Sequence, residues 1–96
     1  MTVVITYDVE TTTPEGRRRL RRVAQACLDF GQRVQFSVFE ATVNETKWTV
    51  LRQRLMTEAD LTKDSLRFYF LGEDAAKRVE HHGAKPSVNY QGTLIA

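Results

Sequence analysis

Hydrophobic and polar positions repeat with two different periods along this chain, and each change of period marks an element. Thr2 to Tyr7 is β-branched, aliphatic or aromatic throughout and closes on Asp8, which predicts a first strand. The polar stretch 10–13 follows as a loop. Thr13-Pro14-Glu15 then has the marks of a helix start: an N-cap hydroxyl, a proline at the first helical position and an acid in the first turn. Leu20, Val23, Ala24, Cys27 and Leu28 recur at helical spacing and predict the buried stripe of that helix. Gly31 lies just past its end, where a left-handed cap is expected.

From Arg33 to Thr42 the period becomes two. Val34, Phe36 and Val38 alternate with Arg33, Gln35, Ser37 and Phe39, predicting a second strand. Asn44 is a good N-cap for a second helix, with Trp48, Leu51 and Leu55 on one face. The stretch 58–64 reads as a loop, and Ser65 to Leu71 alternates again until Gly72 ends it. Arg78 to His82 is expected to form a shorter strand, and Thr93-Leu94-Ile95 a small terminal one. The fold class expected is α+β: a ferredoxin-like βαββαβ arrangement in one domain, 1–96, with a short extra C-terminal strand at about 92–96. Two helices would cover one face of a four-stranded antiparallel sheet.

Side chains alternate across a strand, so each strand sorts its residues onto two faces. The more apolar sets, led by Val3, Ile5 and Tyr7, are expected to face the helices. The opposite face then carries Val4, Thr6, Asp8, Arg33, Gln35, Ser37, Phe39, Arg67, Tyr69 and Leu71. Phe39, Tyr69 and Leu71 together are too apolar for a solvent face. A two-fold homodimer with its open sheet faces packed together would use them. A β-bulge in any strand would invert that strand's sorting.

Composition adds to the case for association. A chain of 96 residues buries only about 60–65% of its unfolded surface, so its stability is marginal. Cys27 is its single cysteine, which excludes an internal disulfide and a cysteine zinc cluster, and points to a reducing compartment. No apolar run is long enough for a signal sequence or a membrane span, so a cytoplasmic protein with no membrane partner is expected. Net charge is only +2, yet residues 17–22 read Arg-Arg-Arg-Leu-Arg-Arg. Distribution matters more than the sum.

Asp8 is the sharpest candidate for chemistry. A terminal aspartate is common in turns, so a plain loop cap is its ordinary reading. One carboxylate is a poor Mg²⁺ site, because that ion takes six oxygens and is usually held by one or two carboxylates with substrate phosphate and water. A two-fold axis through the open face would bring a second Asp8 alongside the first. The pair could hold one metal, activating water and offsetting charge on a phosphodiester. The arginines are the second candidate. Arg18 and Arg22 lie opposite the apolar stripe, with Arg19 and Arg21 flanking it. Like charges at this spacing, near a helix N-terminus, are a local cost that an anionic backbone would relieve. Arg33, Gln35 and Ser37 share the face expected for Asp8 and could touch phosphate or knit a dimer. His81 and His82 point to opposite faces of a strand and make a poor metal pair. Cys27 and Trp48 are expected in the core. No P-loop, GxGxxG, HExxH or nucleophile elbow is present.

Strand one ending Tyr7-Asp8, the helix opening Pro14-Glu15-Gly16-Arg17-Arg18-Arg19-Leu20-Arg21-Arg22, and the run Gly31-Gln32-Arg33-Val34-Gln35 with Ser37-Val38-Phe39-Glu40 resemble the family of the second CRISPR-associated protein. Arg67-Phe68-Tyr69 and Arg78-Val79-Glu80-His81 are similar to its bacterial I-C-like members. The resemblance implies a ferredoxin-like homodimer in which the C-terminal strand adds to the partner's sheet. It implies that Asp8 and its symmetry mate bind Mg²⁺ or Mn²⁺, with Tyr7, Arg33, Ser37 and Phe39 at family positions. It further implies a metal-dependent endonuclease on single-stranded RNA or double-stranded DNA, which also helps the CRISPR integrase, the first CRISPR-associated protein, capture spacer DNA. Three alternatives use the same fold: a non-catalytic adaptor bridging integrase dimers on DNA, a toxin-like endoribonuclease, and a small-ligand regulator that the arginine cluster disfavours.

Overall fold

The computed structural model describes residues 1–72, 74–83, 87–88 and 94–95. Its elements are β1 (Thr2–Asp8), α1 (Pro14–Phe30), β2 (Gln32–Gln35), β3 (Val38–Thr42), α2 (Glu45–Glu58) and β4 (Ser65–Leu71). A 3-10 turn, Ala75–Arg78, and two short strands, β5 (Ser87–Val88) and β6 (Leu94–Ile95), follow. The sheet runs β2-β3-β1-β4 with every pair antiparallel. This is the expected ferredoxin-like order, with the helices on one face.

The helices begin where their caps dictate. The Thr13 side chain accepts from the Gly16 N–H at 3.0 Å, and Pro14 occupies the first turn. Asn44 accepts from the Lys47 N–H at 2.8 Å. Val3, Ile5, Tyr7, Phe39 and Ala41 supply the sheet side of the core; Val23, Ala26, Cys27, Leu51 and Leu55 supply the helix side. Trp48 stands edge-on to Phe68 and Phe70 at 5.0 and 5.5 Å. The stripe of α1 is rotated from the expected one. Ala26 is fully buried, whereas Leu28 is 46% exposed.

Four local expectations are corrected. The run 33–42 is not one strand. It folds as a hairpin, β2 and β3, with a turn at Phe36-Ser37 and a register shift between Arg33 and Gln35. This hairpin, not Arg78–His82, supplies the fourth strand. On β3, Val38 and Glu40 take the open face and Phe39 the helix face with Arg33 of β2 beside it, the reverse of the expected sorting, so Phe39 is fully buried, while Phe36 stands at the turn and is 86% exposed. Arg78 ends the 3-10 turn, and 79–83 forms no strand. Gly31 is extended (φ −155°) rather than left-handed. A glycine serves there because a Cβ would collide with the Glu40 carbonyl oxygen and Ala41 on β3. Leu94–Ile95 does form a strand, paired with Ser87–Val88 of the same chain; Thr93 lies outside the described residues.

Candidate nucleic-acid interface

β1 pairs with a neighbour on each side until its last residue. Thr6 faces Val38 on β3 and Arg67 on β4, while Asp8 faces Ser65, the first residue of β4. Alternation turns Val3, Ile5 and Tyr7 into the core and Thr6 and Asp8 to the open face. Asp8 is exposed there, at a shallow depression lined also by Thr6, Tyr7, Ser65, Leu66 and Arg67. Among the described residues, nothing hydrogen-bonds or ion-pairs with its carboxylate. An exposed strand-end carboxylate is a hard oxygen donor and suits a Mg²⁺-type ion as one ligand of six. The rest must come from elsewhere: among the described residues, no three His, Cys, Asp or Glu side chains gather to hold a metal.

The residues expected around Asp8 divide. By register, Gln35 pairs with Val38, whose other partner is Thr6, and so joins the open face two strands from β1. Arg33 and Phe39 do not. They pair with each other on the helix side, with the Arg33 guanidinium 5.0 Å above the Phe39 ring. Ser37 lies in the hairpin turn, where its carbonyl accepts the Tyr7 N–H at 3.2 Å. The Tyr7 hydroxyl donates to the Phe36 carbonyl at 3.4 Å, and its ring stacks on Phe39. Burial holds the Tyr7 phenol above its usual pKa against the opposing pull of Arg33. Tyr7 therefore pins the hairpin turn to the strand end that carries Asp8.

The arginines of α1 also divide. Arg17, Arg18, Arg21 and Arg22 are exposed. Arg18 and Arg21 have no partner among the described residues, Arg17 reaches back to the Thr11 carbonyl at 3.2 Å, and Arg22 is 3.7 Å from Glu58. Arg19, grouped with them on the helical wheel, is instead only 16% exposed in its side chain. It ion-pairs with the fully buried Asp64 at 2.8 Å. Its wheel position, four before Val23 and seven before Ala26, leans it inward. Two residues here were absent from the expected site. Arg67 is exposed on the open face one row from Asp8, and Asp64 stands next to Asp8's ladder partner. Strand parity pointed to Arg67; nothing in the spacing of residues singled out Asp64.

A family model described as "CRISPR associated protein Cas2" matches residues 1–79 of this chain. The chain belongs to the Cas2 family. It is 58% identical over 95 residues to the CRISPR-associated endoribonuclease Cas2 of Chlorobaculum tepidum, an alignment that covers 99% of each chain. It is 52% identical to the CRISPR-associated endonuclease Cas2 of Halalkalibacterium halodurans, again across 99% of both. The crystal structure of Streptococcus pyogenes Cas2 at pH 6.5 superposes with a TM-score of 0.76 at 51% identity, covering 86% of this chain and all of that one. The α+β, ferredoxin-like fold is thus shared with a solved Cas2. Among the described residues, no helix is long and apolar enough to cross a membrane.

Proposed function

We propose that this Cas2 protein is a Mg²⁺-dependent endonuclease that works as a two-fold homodimer, hydrolysing phosphodiester bonds of single-stranded RNA or double-stranded DNA. The observation that carries this reading is the exposed Asp8 carboxylate on the open sheet face, without a partner among the described residues, in a chain whose near relatives are named endoribonucleases and endonucleases. In this reading Asp8 of each protomer holds one face of a shared cation, either Mg²⁺ or Mn²⁺. Bound there, the ion would lower the pKa of a water molecule and offset charge on the scissile phosphate. Arg67 lines the same depression as Asp8 and would orient the phosphate, with Gln35 two strands away on the same face. Arg18, Arg21 and Arg22 would hold the backbone further out.

The arginines share one end of the sheet with Asp8, but not one face: α1 lies on the covered side and Asp8 on the open side. Gripping and cutting are therefore separable, which supports a second reading. In it, this Cas2 is an adaptor that holds spacer DNA with the CRISPR integrase, Cas1, through its basic helix, and cleavage is incidental. Cleavage and duplex binding measured side by side in Asp8→Asn decide between the two. The nuclease reading expects cleavage lost with duplex affinity within about twofold of wild type. Pure wild-type protein that cleaves neither RNA nor DNA in Mg²⁺ or Mn²⁺ would leave the adaptor reading alone.

A further inference from the structure

Asp64 is the one buried acid of the described residues, and it is fully engaged. One carboxylate oxygen accepts from the Glu10 N–H at 3.0 Å and from Arg19 Nη2 at 3.3 Å. The other accepts from Arg19 Nε at 2.8 Å and from the Asp60 N–H at 2.9 Å. The Asp64 N–H in turn donates to the Asp60 carbonyl at 2.7 Å. One side chain therefore ties together three pieces of chain: the loop leaving β1, the second turn of α1 and the loop entering β4. Glu10 lies two residues beyond Asp8, and Ser65, the next residue after Asp64, is Asp8's ladder partner. Gly16 tightens the same junction, because a Cβ there would overlap the Glu10 carbonyl oxygen.

A buried ion pair is a poor device for stability alone, since well-packed apolar residues of like volume serve as well or better. What it supplies is geometry. A carboxylate with four donors in fixed directions has one acceptable placement, and here that placement sets where β1 stops. We infer that Asp64 is a positioning residue for Asp8, and that Arg19 is its counter-ion rather than a phosphate ligand. The inference rests on the nuclease reading of Asp8. Without the clamp, the last rung of β1 and the loop after it are free to shift, and the two Asp8 carboxylates of a dimer lose their mutual register. Arg18 and Arg21 keep their charge on the far side of α1 and still grip a backbone.

The test compares wild type, Asp8→Asn, Asp64→Asn, Arg19→Gln and Arg21→Gln at a temperature where circular dichroism shows each folded. Cleavage of a labelled single-stranded RNA and of a DNA duplex in Mg²⁺ gives kcat and KM separately; duplex affinity is titrated against salt. Asp64→Asn and Arg19→Gln are expected to lower kcat by about ten- to a hundredfold, as small misplacements of reacting groups do, with KM nearly unchanged. A variant carrying both Asp64→Asn and Arg19→Gln should be no worse than either single one, because both remove one interaction. Arg19→Gln should leave the salt slope of duplex binding unchanged, whereas Arg21→Gln should reduce it by about 0.9, one phosphate contact. A wild-type kcat in folded Asp64→Asn, or a reduced salt slope in Arg19→Gln, overturns the inference. Should Asp64→Asn fail to fold, Arg19→Gln decides by itself, since it leaves Asp64 its two backbone donors. If Asp8→Asn cleaves normally, the nuclease reading has failed instead, and the salt slope alone judges Arg19.

Discussion

Asp8 and Asp64 sit a ladder step apart at one end of the sheet, one exposed, the other buried and fourfold bonded. Burial by itself would raise the Asp64 pKa, but the Arg19 guanidinium and the N–H groups of Asp60 and Glu10 outweigh it and hold the carboxyl below its usual range. A carboxylate lowered in the folded state contributes stability that is complete above its unfolded pKa of about 3.9. That stability is lost as the pH falls through the lower folded value. Thermal melts of the wild type should therefore fall steeply on acidification below about pH 4, and Asp64→Asn should flatten that part of the profile. It will not abolish the slope, because Asp29, hydrogen-bonded by Arg54 and Gln25, and Asp60, hydrogen-bonded by Thr62, are lowered too. At neutral pH, Asp64→Ala leaves the half-hidden Arg19 charge without its partner and should cost about 3 kcal/mol in urea unfolding. Cys27 is the opposite case, buried with no hydrogen-bond partner among the described residues. Its thiol is pushed up to about 12 by desolvation, so a thiol reagent at pH 8 should modify it only at the rate at which the protein opens, and at once in denaturant.

Phe36 and Phe39 test the hairpin at the scale of the element. Phe39 is fully buried between Tyr7 and the Arg33 guanidinium, whereas Phe36 is largely in solvent at the turn. Phe39→Ala should destabilise by about 3 kcal/mol or more, and Phe36→Ser by about 0.5 kcal/mol or less, read from chemical-denaturation midpoints; equal losses would contradict the inverted parity. This hairpin is also where the chain was least readable. Both helices and strands β1 and β4 follow from cap residues and apolar periods, because each keeps one period from end to end. The run 33–42 keeps period two straight through a turn that has neither glycine nor proline. The register shift before that turn puts Arg33 and Gln35, two residues apart, on opposite faces, which alternation alone does not anticipate. The place of Asp8 on the open face was legible because a strand with one apolar face must put its terminal carboxylate on the other. Asp64 was not, since what distinguishes it is a set of donors brought from residues 10, 19 and 60 by the fold. Arg19 was misplaced for the same reason: in an arginine run, only the tertiary partner tells the buried one from its neighbours.

For the whole molecule, the open sheet face decides what the protein does next. It presents Val4, Val38 and the exposed Tyr69 and Leu71 around the row of Thr6 and Arg67, while Asp8 stands at its end. An apolar sheet face beside an outer strand whose far edge pairs with no described residue is costly to leave in water, and burying it against a second copy removes that cost. In the proposed dimer, a two-fold axis near Asp8 sets two carboxylates close together, where their charges repel unless a cation lies between them. Association should then be linked to metal. Sedimentation of the wild type should show tighter dimers with Mg²⁺ than with chelator. Asp8→Asn, which removes the repulsion and the ligand together, should dimerise at least as tightly as the metal-loaded wild type and ignore Mg²⁺ altogether. Tyr69→Glu places a charge in the middle of the buried face and should yield folded monomers that have lost cleavage while keeping the Arg18 and Arg21 surface intact. A wild-type dimer indifferent to Mg²⁺, with Asp8→Asn indistinguishable from it, would place the two carboxylates too far apart to share an ion. The open face would then be a scaffold for assembly, with the chemistry of Asp8 confined to one protomer.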